Sequence, residues 1–176
     1  AKELGLSSER IELVRKSGLL HDIGKIGIPD SILFKPGLLT TDEFEVIKQH
    51  PVLGADIVGA NHLLSELSPI IRHHHERFDG KGYPDGIQGQ EISLEARILC
   101  LADSIQAMAS DRPYRQAMSL PEIMTEVREN LGTQFDPQVA QAALLIMGTE
   151  QVTLNTRLTQ TQPIEEPILV EILPAR

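Results

Sequence analysis

Five of the chain's six histidines stand beside acidic or turn-forming residues, in His21-Asp22, His50-Pro51 and His73-His74-His75-Glu76. Imidazole nitrogen with carboxylate oxygen and no thiolate is a donor set for Fe, Mn, Zn, Co or Ni, and the set alone does not choose among them. Asp103 lies in a segment otherwise rich in Ala, Leu and Ile, following Ile98-Leu99-Cys100-Leu101-Ala102. A carboxylate carried into such a segment needs a partner, because burying a lone charge is costly, and a cation supplies one. The candidate ligands are therefore His21, Asp22, His50, His74, His75 and Asp103. They suffice for two metals, with Asp22 placed to bridge through its two oxygens. Two cations about 3.5–4 Å apart activate a water and stabilise the transition state of phosphate-ester hydrolysis. Taken singly, each group is more often an ordinary solvated one: a His-Asp pair on a surface, a histidine run at a helix end, His50 at a helix start. Order and spacing carry the weight, and His62 is left as a surface histidine.

Helices must position these groups. Ser7 or Ser8 caps a first helix carrying Ile11, Val14 and Leu19 inward, with Leu13 and Leu20 widening that face, and ending near His21-Asp22-Ile23-Gly24. Thr40 with Glu43 is a capping box opening a helix with Phe44 and Ile47 inside. Pro51 fits a first helical turn. A further helix is expected from Leu63 to His75, and a long one from Ser93 or Leu94 to about Ala109. Ser119 with Glu122 and Asp136-Pro137 mark two more starts. Residues 79–86, with three glycines and a proline, form a loop. No strand pairing is visible, so the fold class is all-α.

Composition narrows the function. The 176 residues are 41% hydrophobic and 23% charged, which suits one globular domain with a tail. A net charge of −9 excludes a general nucleic-acid-polymer binder but leaves room for a small anionic ligand in a locally basic cleft. The single cysteine, Cys100, excludes an internal disulfide and is read as a small buried apolar residue. No apolar run reaches 18 residues, and the start AKELGL has neither Met nor signal-peptide character. The expectation is a soluble cytoplasmic domain cut from a longer protein that is itself membrane-attached if its input is a membrane sensor. Domain limits are set at 1–147, with 148–176 an irregular C-terminal tail or linker.

His21-Asp22-Ile23-Gly24-Lys25, His50-Pro51, His74-His75-Glu76-Arg77-Phe78-Asp79-Gly80-Lys81-Gly82-Tyr83-Pro84 and Asp103 with Asp111-Arg112-Pro113-Tyr114-Arg115 together resemble the HD-GYP family. These are cyclic di-GMP phosphodiesterases within the HD superfamily of metal-dependent phosphohydrolases. The resemblance covers about residues 1–147 and implies an HD-domain helical bundle with a GYP loop. It implies two divalent transition metals (Fe or Mn, otherwise Zn, Ni or Co) or a third, held by the six residues above with Asp22 bridging. Lys25 matches the lysine that meets substrate phosphate and helps protonate the leaving oxygen. Its place three residues past Asp22 also lets it swing into the same cleft. Arg112 and Arg115 fall where the family places cations that contact phosphate and base. Gly82, Tyr83 and Pro84 shape the substrate cleft or meet partners, GGDEF-type cyclases among them. His73 takes a supporting role.

The implied reaction is hydrolysis of cyclic di-GMP, with either pGpG or, after a second cleavage, GMP as the end product. The alternatives are a cyclic di-GMP-binding or protein-interaction module with impaired turnover, and an HD phosphohydrolase for another nucleotide. Two departures bear on this. The family carries another ligand histidine, and in trinuclear members a glutamate, upstream of the HD pair, and the chain given starts after that point. Gln106 stands where the family has aspartate, on the Asp103 face of the helix. It is expected to alter substrate contact rather than metal binding. A fused regulatory domain upstream and a homodimer complete the partner expectations.

Overall fold

The computed structural model describes residues 1–111 and 116–160, with side chains described through Thr149. Among these residues the secondary structure is helical, without a named strand, as the sequence leads one to expect. Helix α1 (Ser8–Leu20) begins at Ser7, whose side chain accepts from the Arg10 amide. A 3₁₀ turn (Ile23–Gly27), α2 (Asp30–Leu33), α3 (Thr41–Ile47) and α4 (His50–Gly59) follow. The Thr40–Glu43 capping box closes both ways, and Pro51 sits in the first turn of α4. Next come α5 (Ser68–Arg72), α6 (Leu94–Met108), α7 (Leu120–Glu129) and α8 (Pro137–Gln160). Ser93 caps α6, the Ser119–Glu122 box starts α7, and Asp136 Oδ1 accepts from the Gln138 and Val139 amides at the head of α8.

Helix α6 is the spine. Its Ile98 and Leu101 pack with Ile123, Val127, Phe135 and Val139 toward α7 and α8. Its Ala96 and Leu99 face the other way, onto Ile70 of α5 and Leu13 of α1. A third cluster, Val58, Leu67 and Ile71, joins α4 to α5 beneath Leu13 and Leu20. Packing on two sides explains the run of Ala, Leu and Ile along α6, and it fixes the helix that carries Asp103.

Several expectations are corrected. Leu19 is 72% exposed and Phe44 is 43% exposed, so neither is a core residue. The expected 63–75 helix is a 3₁₀ turn (Ser65–Leu67) followed by five residues of α5, leaving His73, His74 and His75 in a turn. Pro69 has no amide hydrogen and is accommodated only in a first turn, so an α-helix starts there rather than running through. The change of composition at Gly148 does not end α8, which continues to Gln160; residues 161–176 of the expected tail lie outside the described residues. No helix among the described residues is long and apolar enough to cross a membrane.

Candidate metal centre

Three histidines are set by one local device. His21 follows the end of α1 and its Nδ1 lies 2.8 Å from the Gly18 carbonyl oxygen. His50 follows α3 with Nδ1 2.7 Å from the Ile47 oxygen, and His74 follows α5 with Nδ1 2.5 Å from the Ile71 oxygen. Each ring thus satisfies a carbonyl that a helix end leaves without an intrahelical partner. A carbonyl only accepts, so Nδ1 carries the proton, and in the neutral ring the lone pair is on Nε2. Burial favours the neutral ring at two of them: the His74 imidazole is pushed down to about 4, and that of His50 is also lowered. His75 is lowered as well, by burial and then by its histidine neighbours.

Two of the three Nε2 atoms, those of His21 and His50, lie near carboxylate oxygens. The buried Nε2 atoms of His50 and His74 have no hydrogen-bond partner. Asp22 Oδ1 lies 3.4 Å from His50 Nε2, but out of line for a hydrogen bond. His21 Nε2 is 3.5 Å from Asp22 Oδ2 and 3.5 Å from Asp103 Oδ1. Two donors each about 2.1 Å from a shared cation at a tetrahedral angle stand about 3.4 Å apart, so the spacing fits metal coordination. A proton is the substitute when no cation is there: Asp103, chiefly, raises the His21 imidazole. Burial pushes the Asp103 carboxyl up, but the hydrogen bond with His21, together with the neighbouring imidazoles, more than offsets it and holds it low. Ligand atoms of His50, His74 and His75 all lie within 4.8 Å of one another, a group able to hold a metal ion. The His21 and His74 rings, 5.2 Å apart between centroids, link that group to the two carboxylates. The structure therefore brings all six candidate ligands into one cluster, drawn from the end of α1, the start of α4, the turn after α5, and helix α6.

Close backbone approach assembles the cluster. The turn after Asp22 lies so tightly on α4 that a Cβ on Gly24 would stand 2.0 Å from the His50 carbonyl oxygen. Lys25, in that turn, places Nζ 2.5 Å from Asp22 Oδ2.

The loop bearing Gly82, Tyr83 and Pro84 is fastened to the same histidine turn. Gly82 passes so close that a Cβ there would be 2.3 Å from the Arg77 amide nitrogen. Glu76, 2% exposed, accepts from the Asp85 amide at 2.7 Å and the Gly86 amide at 2.9 Å through one oxygen. Asp85 is gripped by Arg72 through two hydrogen bonds of 2.7 Å and by His73 Nε2 at 2.9 Å, which is what His73 does instead of facing the cluster. The result is Tyr83 stacked on His75 at 4.9 Å. Glu76→Ala strands two amides and is expected to cost about 1–3 kcal/mol for each. Urea unfolding should show the loss, and Glu76→Gln, which keeps one carbonyl acceptor, should restore part of it.

A cleft of about 330 Å³ adjoins this stack, with His75 and Tyr83 in one wall and Phe44, Lys48, Lys81, Ser104 and Gln134 around it. Sequence reasoning passed over Lys48 and Lys81 and placed Phe44 in the core. The available signal was position, since Lys48 is two residues before His50 and Lys81 lies inside the glycine-rich loop. Gln106 is exposed on α6. Arg112 and Arg115 lie outside the described residues. Cys100 is buried, which pushes its thiol up to about 12, so it is no thiolate ligand.

Comparison with known proteins gives concordant results. The sequence model of the HD domain matches residues 1–139. The chain is 43% identical over 146 residues to the cyclic di-GMP phosphodiesterase response regulator RpfG of Xanthomonas campestris pv. campestris, covering 82% of this chain and 39% of the relative. It is 42% identical over 146 residues to a cyclic di-GMP phosphodiesterase of Thermotoga maritima, covering 82% and 40%. It is 38% identical over 138 residues to the 3'3'-cGAMP-specific phosphodiesterase 3 of Vibrio cholerae, covering 78% and 30%. The chain thus spans two-fifths or less of these relatives' lengths. Among solved structures, a cyclic GMP-AMP-specific phosphodiesterase of V. cholerae (V-cGAP3) aligns with a TM-score of 0.66 at 19% identity, over 92% of this chain and 46% of that one, which shows a shared fold.

Proposed function

This chain belongs to the HD domain family and is of the HD-GYP type, and from that premise we propose that it hydrolyses a phosphodiester bond of cyclic di-GMP to give pGpG. The observation that carries the reading is the cluster itself: the buried Nε2 atoms of His50 and His74 have no hydrogen-bond partner, and carboxylate oxygens stand 3.4 Å from His50 Nε2 and 3.5 Å from His21 Nε2. His21, Asp22, His50, His74, His75 and Asp103 would hold two divalent metals, Fe or Mn before Zn, Ni or Co, with Asp22 between them. Metals bound there would supply an activated water and positive charge for the phosphoryl transition state. Lys25, held on Asp22, is the proton donor to the ribose oxygen that leaves as the P–O bond breaks. Tyr83, fixed on His75 by the Gly82 and Glu76 contacts, bounds the substrate cleft. Gln106, Arg112 and Arg115 remain substrate-contacting residues in this reading, supported by the resemblance. The longer relatives, one of them a response regulator, support a regulatory domain joined to this one. A GGDEF-type partner at the GYP loop and a homodimer rest on the resemblance alone.

Metal content and turnover test the proposal together. Elemental analysis after Mn or Fe reconstitution is expected to find two metals per chain, with pGpG formed from cyclic di-GMP and formation stopped by a chelator. Product that persists in chelator, or loaded protein that leaves cyclic di-GMP intact, overturns it. The relatives that act on 3'3'-cGAMP make that dinucleotide the comparison substrate.

A further inference from the structure

The second phosphate of a cyclic dinucleotide needs a place of its own. The ring holds two phosphodiesters, each with one negative charge, and only one can be at the reacting centre. The cleft beside the centre shares His75 with it, so a ligand there reaches both. Among the described residues three cations line that cleft, and they differ in how far they are already committed. Arg77 is spent: Nε and Nη2 donate to Asp79 at 3.0 and 2.9 Å, and Nη1 to Gln134 at 3.3 Å. Lys81 makes no ion pair among the described residues, since its neighbour Asp79 is taken by Arg77. Lys48 pairs with Glu45 at 2.6 Å, but that carboxylate is 58% exposed, so water screens the pair and a phosphate can displace it. The Lys48 ammonium also lies 5.0 Å from the centre of the Phe44 ring and 5.9 Å from that of Tyr83, and these faces hold it at the cleft.

We infer that Lys48 and Lys81, one from the end of α3 and one from the GYP loop, form the subsite for the non-scissile phosphate of a cyclic dinucleotide. The inference rests on the proposed function and adds to it the residues that select a ligand with two phosphates over one with a single phosphodiester. A chain with net charge −9 repels a dianion at long range, so local cations at the cleft decide where it settles. Because the contact is to phosphate, it is indifferent to the bases, and cyclic di-GMP and 3'3'-cGAMP should lose equally when it is removed.

The test compares the wild type with Lys48→Gln, Lys81→Gln and the double variant. Binding of cyclic di-GMP is measured by calorimetry on metal-stripped protein. On reconstituted protein, kcat/KM is measured for cyclic di-GMP and for bis(p-nitrophenyl) phosphate, which carries one phosphodiester. Each single variant is expected to lower cyclic di-GMP affinity about tenfold, and to lower the ratio of the two kcat/KM values by a similar factor. If the wild type turns over cyclic di-GMP and neither affinity nor ratio moves, the subsite is wrong and the proposed function stands. Parallel losses on both substrates, leaving the ratio unchanged, also overturn the subsite. A wild type that splits bis(p-nitrophenyl) phosphate but neither binds nor cleaves either cyclic dinucleotide overturns the proposed function and the subsite with it.

Discussion

Asp22→Ala is expected to lower cyclic di-GMP turnover by roughly a thousandfold or more, on the scale of removing a group that stabilises transition-state charge. Helical content should be unchanged. The side chain is 40% exposed and makes no core contact, so its loss costs little folding energy. Its two oxygens, however, face two different histidines, His50 through Oδ1 and His21 through Oδ2, and Oδ2 also holds Lys25. Removing it therefore separates the His21 side of the cluster from the His50 side and frees the proposed proton donor. Elemental analysis on the same sample should show less than the wild-type metal content. A well-folded Asp22→Ala protein with normal turnover would sink the proposed centre.

Gly24→Ala is the second large effect, and it acts through the backbone. The new methyl would stand 2.0 Å from the His50 carbonyl oxygen and 2.4 Å from the Gly54 nitrogen. Neither neighbour can rotate away as a side chain would, so the turn must lift from α4. A cost of about 3 kcal/mol corresponds to a fall in melting temperature of roughly 6–12 °C for a domain of this size. His21 and Asp22 precede that turn, so metal content should fall with stability. Gly59→Ala, in α4 itself, meets nothing closer than Ser68 Oγ at 3.4 Å and is expected to leave the melting temperature almost unchanged. Scanning calorimetry of the two variants separates close packing at Gly24 from a general intolerance of alanine in place of glycine.

Much of this was legible before any coordinates, for identifiable reasons. Caps are local chemistry, so Ser7, Thr40, Ser93, Ser119 and Asp136 mark helix starts that the structure reproduces. The six candidate ligands could be named because carboxylates and imidazoles beside turns are conspicuous by type. What the sequence hid depends on which side of an element faces inward. Leu19 and Phe44 look like core residues and are exposed: α1 turns Leu13, Val14 and Leu20 to its neighbours, while α3 buries no residue and lays Phe44 along the cleft. The 63–75 segment reads as one helix, yet Pro69 allows only a short one. Glu76 resembles an ordinary acidic surface residue, and only the fold brings the Asp85 and Gly86 amides to it. Lys48 and Lys81 lie 33 positions apart in the chain and meet only around a cleft.

The carbonyls that orient His21, His50 and His74 belong to Gly18, Ile47 and Ile71, and all three are main-chain atoms. No substitution deletes a main-chain carbonyl. Exchanging Ile47 or Ile71 for another residue changes packing but leaves the acceptor in place, so the orientation of these rings is insensitive to side-chain identity at the supporting position. It is sensitive to spacing. One residue inserted between Ile47 and His50, or removed, shifts the ring by about 100° around the helix end and takes its lone pair out of the cluster. The site is thus specified by segment length as much as by residue type, and it should tolerate drift in the supporting residues while rejecting single insertions and deletions there.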